Sequence, residues 1–158
     1  MDQAVTPFRA FLDPVPGLSP GEAQQRARRL LPDRVGQSSL RWWSPDQPLP
    51  AAPRFLLVGV AVWSGYDLNL LDHLDRAVAG GANPDVPVYV FDADVCRAPE
   101  EFETIFPGIG PVHHTPVVGY WEGGKLIETA CGFHGRQIVA RLFGIDEQLL
   151  HQRITAAS

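Results

Sequence analysis

Phe55-Leu56-Leu57-Val58-Gly59-Val60-Ala61-Val62 runs straight into Trp63-Ser64-Gly65-Tyr66-Asp67, and this junction decides the fold. A continuous apolar run of this length, rich in valine and leucine, is the pattern of a strand buried on both faces, as at the centre of a mixed sheet. Directly after it, Leu70, Leu71, Leu74, Ala77 and Val78 recur on one helical face, and Gly80-Gly81 ends them. Ser64 stands at the boundary, where its hydroxyl suits the free N–H groups of a helix start. The longest apolar run, Phe55 to Trp63, has the length of a strand and falls short of the roughly 20 residues that cross a bilayer.

Downstream, Val86 to Phe91 reads as a second strand, with Pro87 tolerated near its start. Pro99 opens a short helix with Phe102, Ile105 and Phe106 on one face, and Pro107-Gly108 closes it. Val117 to Trp121 and Leu126 to Cys131 flank Glu122-Gly123-Gly124-Lys125, a hairpin signal. Arg136 to Phe143 is helical again, and Asp146 caps a last helix through Ile154. The order β-α-β-α-β-β-α predicts a layered α/β sandwich.

Upstream, residues 1–53 form a Pro-rich extension before a domain spanning 54–158. Nine of the fifteen prolines fall there, which limits regular structure because proline fixes φ and lacks a donor. One helix is expected: Ser19-Pro20-Gly21-Glu22 is a capping box with proline in the first turn, Ala23, Ala27, Leu30 and Leu31 follow at helical spacing, and Pro32 stops it. Leu40 to Trp43 adds a short strand, and Trp42-Trp43 are read as pinning the extension to the domain.

Composition narrows the class. At 158 residues the chain can bury one real core. A net charge of −5 argues against nucleic acid, whose binding rests on clustered cations. Two cysteines, Cys96 and Cys131, are too few for a disulfide framework and lack metal-ligand spacing. With neither a signal-peptide pattern at Met1-Asp2-Gln3 nor a membrane-length run, a cytoplasmic location is the expectation.

Trp63-Ser64-Gly65-Tyr66-Asp67, together with Thr115-Pro116, resembles the active site of the thioredoxin family with both redox cysteines missing. That family reads Trp-Cys-Gly-Pro-Cys at the first place and has a residue followed by cis-proline at the second. The resemblance covers roughly residues 54 to 144. It runs without a gap from Pro116 through the strand Val117 to Trp121 and the Gly123-Gly124-Lys125 turn to Gly132, sixteen residues on, which matches the glycine bordering the substrate groove. It implies a three-layer α/β/α sandwich with a mixed central sheet and a cis Thr115–Pro116 bond. Ser64 stands for the nucleophilic cysteine, Asp67 for the resolving one, Tyr66 for the proline between them, and Val58 for the family's buried proton-accepting acid. Disulfide exchange needs a thiolate and a second thiol to resolve it. Ser64 and Asp67 supply neither.

The expected site is therefore a binding groove of Trp63, Ser64, Gly65, Tyr66, Asp67, Thr115, Pro116, Cys131 and Gly132. No catalytic residue, cofactor or metal is assigned to it. Ser64 is read as a cap; as a nucleophile it would need an adjacent base and an oxyanion hole. Asp67 gains roughly 0.3–1 kcal/mol from the helix end and discourages an anion or thiolate there. His113 and His114, adjacent in an extended segment, point to opposite sides and are not expected to share an ion. The functional expectation is a redox-inactive, chaperone-like or accessory module that holds a protein or extended peptide segment. The rival is an enzyme reusing the scaffold, a monothiol reductase through Cys131 or a transferase using Ser64. In a third alternative the groove is vestigial and the Pro-rich extension carries the interactions.

Overall fold

Burial on both faces puts the Phe55 run in the middle of a sheet. The computed structural model describes residues 6–155. Its strands are β1 (Arg41–Trp42), β2 (Arg54–Val60), β3 (Val88–Asp92), β4 (Val117–Glu122) and β5 (Lys125–Cys131), in the order β1-β3-β2-β4-β5. β2 and β1 pair parallel with β3, while β2–β4 and β4–β5 are antiparallel, so the sheet is mixed. Every residue of β2 after Arg54 is buried.

The two faces of the sheet hold different cores. Leu56, Val58 and Val60 join Val88, Val90, Val118 and Tyr120 on one face. There they meet α1 (Pro20–Gly36) through Leu31 and Val35, and α2 (Gly65–Ala79) through Leu68, Leu71 and Leu74. On the other face Phe55, Leu57, Phe91, Val117 and Trp121 form an aromatic-rich cluster with Ile105 of α3 (Pro99–Ile105) and Phe106 beyond it. Phe55 stacks on Trp121 at 4.9 Å, and Trp43 meets Phe91 edge-on at 5.5 Å. α4 (Gly132–Phe143) returns to the first face with Ile138 and Val139, and α5 (Glu147–Leu150) follows.

The N-terminal segment is part of this same construction. Phe8, Ala27, Leu31, Val35 and Leu40 lie in the first core. Trp43 is buried in the second, and its indole N–H donates to the Pro48 carbonyl at 2.9 Å. Arg28 Nε donates to Asp92 Oδ2 at 2.7 Å, joining α1 to the end of β3.

Three boundaries differ from the sequence expectation, each because of tertiary packing. Pro32 does not stop α1, which continues to Gly36. Leu31 and Val35, on either side of it, are fully buried, and burying such a side chain gains about 1.5–3 kcal/mol, comparable with the cost of an internal proline. α4 begins at Gly132, not Arg136. Gly132 and Gly135 of its first turn are buried, with Gly135 packed against Val118 and the carbonyls of Pro116 and Ala130. The last helix ends at Leu150 and does not reach Ile154. Asn69 Nδ2 donates to the carbonyls of Leu149 at 2.7 Å and Gln152 at 3.2 Å, drawing the chain off into an irregular segment, residues 151–155. Among the described residues no helix is long and apolar enough to cross a membrane.

Pro32 leaves one helical hydrogen bond unmade, so Pro32→Ala is expected to raise stability by about 1–3 kcal/mol. Urea unfolding would show a higher midpoint at unchanged slope. A lower midpoint would mean that the proline ring contributes packing that outweighs the missing bond.

Candidate functional site

The corner between β2 and α2 is held by two hydrogen bonds through Asp67. Ser64 adopts extended backbone (φ −92°, ψ 114°), and its Oγ accepts the Asp67 N–H at 3.3 Å, so the serine caps α2. Asp67 is fully buried, and its Oδ2 accepts the Ala61 N–H at 2.9 Å, tying the chain after β2 to the first helical turn. Its Oδ1 has no hydrogen-bond partner among the described residues. The Thr115 hydroxyl lies close enough to favour the charged carboxylate but makes no hydrogen bond of ordinary geometry with it. Burial raises the Asp67 carboxyl to about 6, against the opposite pull of Thr115, the Ala61 N–H, Ser64 and the Arg136 charge. Arg136 is also buried, and desolvation lowers its pKa against the pull of Asp67 and Tyr66. Its guanidinium lies 4.8 Å from the Tyr66 ring centre.

Above this corner lies a cleft of about 410 Å³ between the start of α2 and residues 112–115. Trp63 and Tyr66 wall it and are 52% and 37% exposed, a large aromatic surface to leave in water. Trp63 is nonetheless held in place: its indole N–H donates to Asp94 Oδ2 at 3.0 Å. The Asp94 N–H in turn donates to Asp92 Oδ1 at 2.9 Å, and Asp92 is the partner of Arg28. Partial burial raises the Asp94 carboxyl, helped by Asp92 and opposed by the Trp63 hydrogen bond and Arg28. On the facing side, the backbone of residues 112–115 is irregular, with a bend at His114 and Thr115. It forms no hydrogen bond with the described residues.

Of the residues expected in the groove, Trp63, Ser64, Gly65, Tyr66 and Thr115 line this cleft. Asp67 and Pro116 are buried beneath it, and the Thr115–Pro116 bond is cis. Gly132 is turned toward its own chain: its N–H donates to the Pro116 carbonyl at 2.9 Å, and a Cβ there would lie 3.1 Å from His114 Cβ. Its φ of +60° disfavours any other residue. Cys131 is half-buried and packs on the aromatic core, outside the cleft. His113 and His114 both contribute to the lining, so the segment's bend brings to one side two residues that regular alternation would separate. The described residues contain no group of three His, Cys, Asp or Glu side chains placed to hold a metal ion.

Three lining residues have no sequence signal linking them to the site. Asp94 and Cys96 follow β3, and Arg153 comes from the C-terminal segment. Burial, with help from Glu101 and Asp92, pushes the Cys96 thiol up to about 11, which leaves almost no thiolate at neutral pH. The C-terminal segment crosses the start of α2, where the Ile154 N–H donates to the Gly65 carbonyl at 3.4 Å. A Cβ on Gly65 would lie 2.0 Å from the Ile154 carbonyl oxygen, so this crossing requires glycine. Comparison with family models, curated proteins and solved structures finds no match to this chain.

The raised Asp67 pKa sets a pH dependence of stability. Between about pH 4 and pH 6 the folded chain holds a proton that the unfolded chain has released. The associated stability is fully present below about pH 4 and is lost as pH rises through about 6. Asp67→Asn keeps an acceptor for the Ala61 N–H and removes the charge. It should be more stable than the parent at pH 7.5 by up to roughly 3 kcal/mol, with the difference shrinking toward pH 4. Urea unfolding of both proteins from pH 4 to 8 measures this; parallel pH profiles would show that Asp67 does not titrate in this range.

Proposed function

We propose that the chain is a thioredoxin-like protein without dithiol–disulfide chemistry that holds an extended peptide segment in the cleft between α2 and residues 112–115. The thioredoxin-like three-layer arrangement is part of this proposal. It is supported by the mixed strand order β1-β3-β2-β4-β5, the core on each face of the sheet and the cis-proline facing the start of α2. The chemistry of the redox relatives has no counterpart here, since the Ser64 hydroxyl serves as a helix cap and Asp67 is buried. The one thiol lining the cleft, Cys96, is strongly disfavoured as thiolate.

The observation that carries the binding reading is the unpaired backbone of residues 112–115 opposite the exposed rings of Trp63 and Tyr66. Free backbone N–H and C=O groups can pair with an extended segment of another chain, while pockets beside them read alternate side chains. Rigid aromatic walls supply affinity at low entropic cost. The partner is accordingly a protein or peptide in extended conformation, in an accessory or chaperone-like role that needs no cofactor.

Selection of linear peptides against the full chain, followed by calorimetry of the best binder, tests this. Trp63→Ala is expected to weaken that binder about tenfold or more. Bound peptide should also slow hydrogen exchange at the amides of residues 112–115. A peptide that binds both proteins equally and leaves those amides unchanged would overturn the reading, as would failure to select any peptide.

The thiols give a separate check. At pH 7.5 both Cys96 and Cys131 are expected to react slowly with a disulfide reagent in the native protein, and insulin disulfides should not be reduced. One fast thiol would favour the monothiol enzyme instead.

A further inference from the structure

A second cleft, of about 720 Å³, lies beyond the C-terminal segment, which separates it from the first: Arg153 lines one, and Gln152 and Ile154 the other. Arg9, Arg34 and Arg76 line this second cleft together with His73, Asp72 and Asp75. Three guanidinium groups in one concavity run against a chain whose net charge is −5.

The two carboxylates do not pair with them. Asp72 accepts the N–H groups of Phe8 at 2.7 Å and Arg9 at 3.2 Å, and Asp75 accepts the Ser39 N–H at 2.7 Å. The ion pairs among the described residues are Arg28–Asp92, Arg54–Glu122, Arg141–Glu128 and His151–Glu147, so none involves Arg9, Arg34 or Arg76. Arg34 donates from Nη2 to the Pro7 carbonyl at 3.0 Å and lies 5.5 Å from the Phe11 ring centre, and its buried Nε has no acceptor among the described residues. Burial lowers its pKa, with Asp72 opposing, which is the response of a cation whose desolvation no close partner offsets. Arg76 uses its Nε only on the carbonyl of Asp72 in its own helix, at 3.3 Å. Each guanidinium offers five donors in a fixed fork, and most of these have no acceptor among the described residues.

We propose that this cleft binds a compact anion of the phosphate-ester class. Guanidinium forks match the oxygens of a tetrahedral oxyanion, and three guanidiniums against two carboxylates leave the lining net positive. Leu149 and Ile154 on the same wall give apolar surface to the organic part of the ester. Asp72 and Asp75 on the lining repel a long polyanion, so the ligand is a small molecule and not a nucleic-acid strand. The site is independent of the peptide cleft.

The test uses the full chain at pH 7.5 and constant ionic strength. Inorganic phosphate should raise the melting temperature in proportion to the logarithm of its concentration above a threshold, while chloride at matched ionic strength should not. Phenyl phosphate, measured calorimetrically, should bind more tightly than inorganic phosphate because of the apolar wall. Arg9→Gln and Arg76→Gln, each at an exposed side chain, should weaken phenyl phosphate about tenfold, the scale of one lost charge-assisted hydrogen bond. Arg29→Gln, outside the cleft, should leave it unchanged. The proposal fails if phosphate and chloride act alike, if the Arg9→Gln/Arg76→Gln double variant binds like the parent, or if Arg29→Gln weakens binding equally. Binding of inorganic phosphate without phenyl phosphate would overturn the ester assignment.

Discussion

The buried Asp67 carboxylate holds the corner on which the rest of the molecule is hung. It joins the Ala61 N–H, just past the central strand, to the first turn of α2 at a point where no water reaches. Burying a carboxylate is costly, and one oxygen of this one has no partner among the described residues, so the corner persists because its surroundings over-determine it. Ser64 caps the same turn, Thr115 approaches from the cis-proline side, and Arg136 contributes a positive charge from α4. Three elements far apart in sequence thus converge on one acid.

That convergence explains the shape of the first cleft. With α2 fixed at its start, Trp63 and Tyr66 project into solvent. A chain of contacts running from Trp63 through Asp94 and Asp92 to Arg28 steadies the aromatic wall. The same helix start is covered on its other side by residues 151–155, which Asn69 and the absence of a side chain at Gly65 allow to lie close. The C-terminal segment is therefore a partition, with an aromatic, peptide-sized cleft on one side and an arginine-rich cleft on the other. The two proposed ligands, an extended peptide and a compact anion, follow from this division of the surface.

The N-terminal residues show how a sequence feature can be real and still be put to another use. Proline density in residues 1–53 does not prevent a long regular element there: the 17-residue α1 lies in this segment with Pro32 inside it. What structure it has is placed where it counts. α1 lies on the first core, β1 adds an edge strand beside β3, and Trp43 enters the aromatic cluster. Its arginines are likewise divided by position: Arg28 joins the Asp92 network, whereas Arg9 and Arg34 line the second cleft.

Sequence alone determined what depends on nearest neighbours and on period. The apolar run at Phe55 identified the central strand, the leucines from Leu70 identified α2, Ser64 and Ser19 marked helix starts, and Gly123-Gly124 marked the hairpin, because each signal is complete within a few residues. The absence of a Cys-x-x-Cys pair at this helix start was equally legible, since it requires only that Ser64 and Asp67 are not cysteine. Tertiary structure decided everything that needs a distant partner. It carried α1 through Pro32 by burying Val35, and it ended α5 at Leu150 through Asn69. It also drew Asp67 out of the groove into the interior and turned Gly132 toward His114. Finally, it assembled Arg9, Arg34 and Arg76 around one cleft. Each of these outcomes is set by what lies across space from a residue, and local pattern does not encode that.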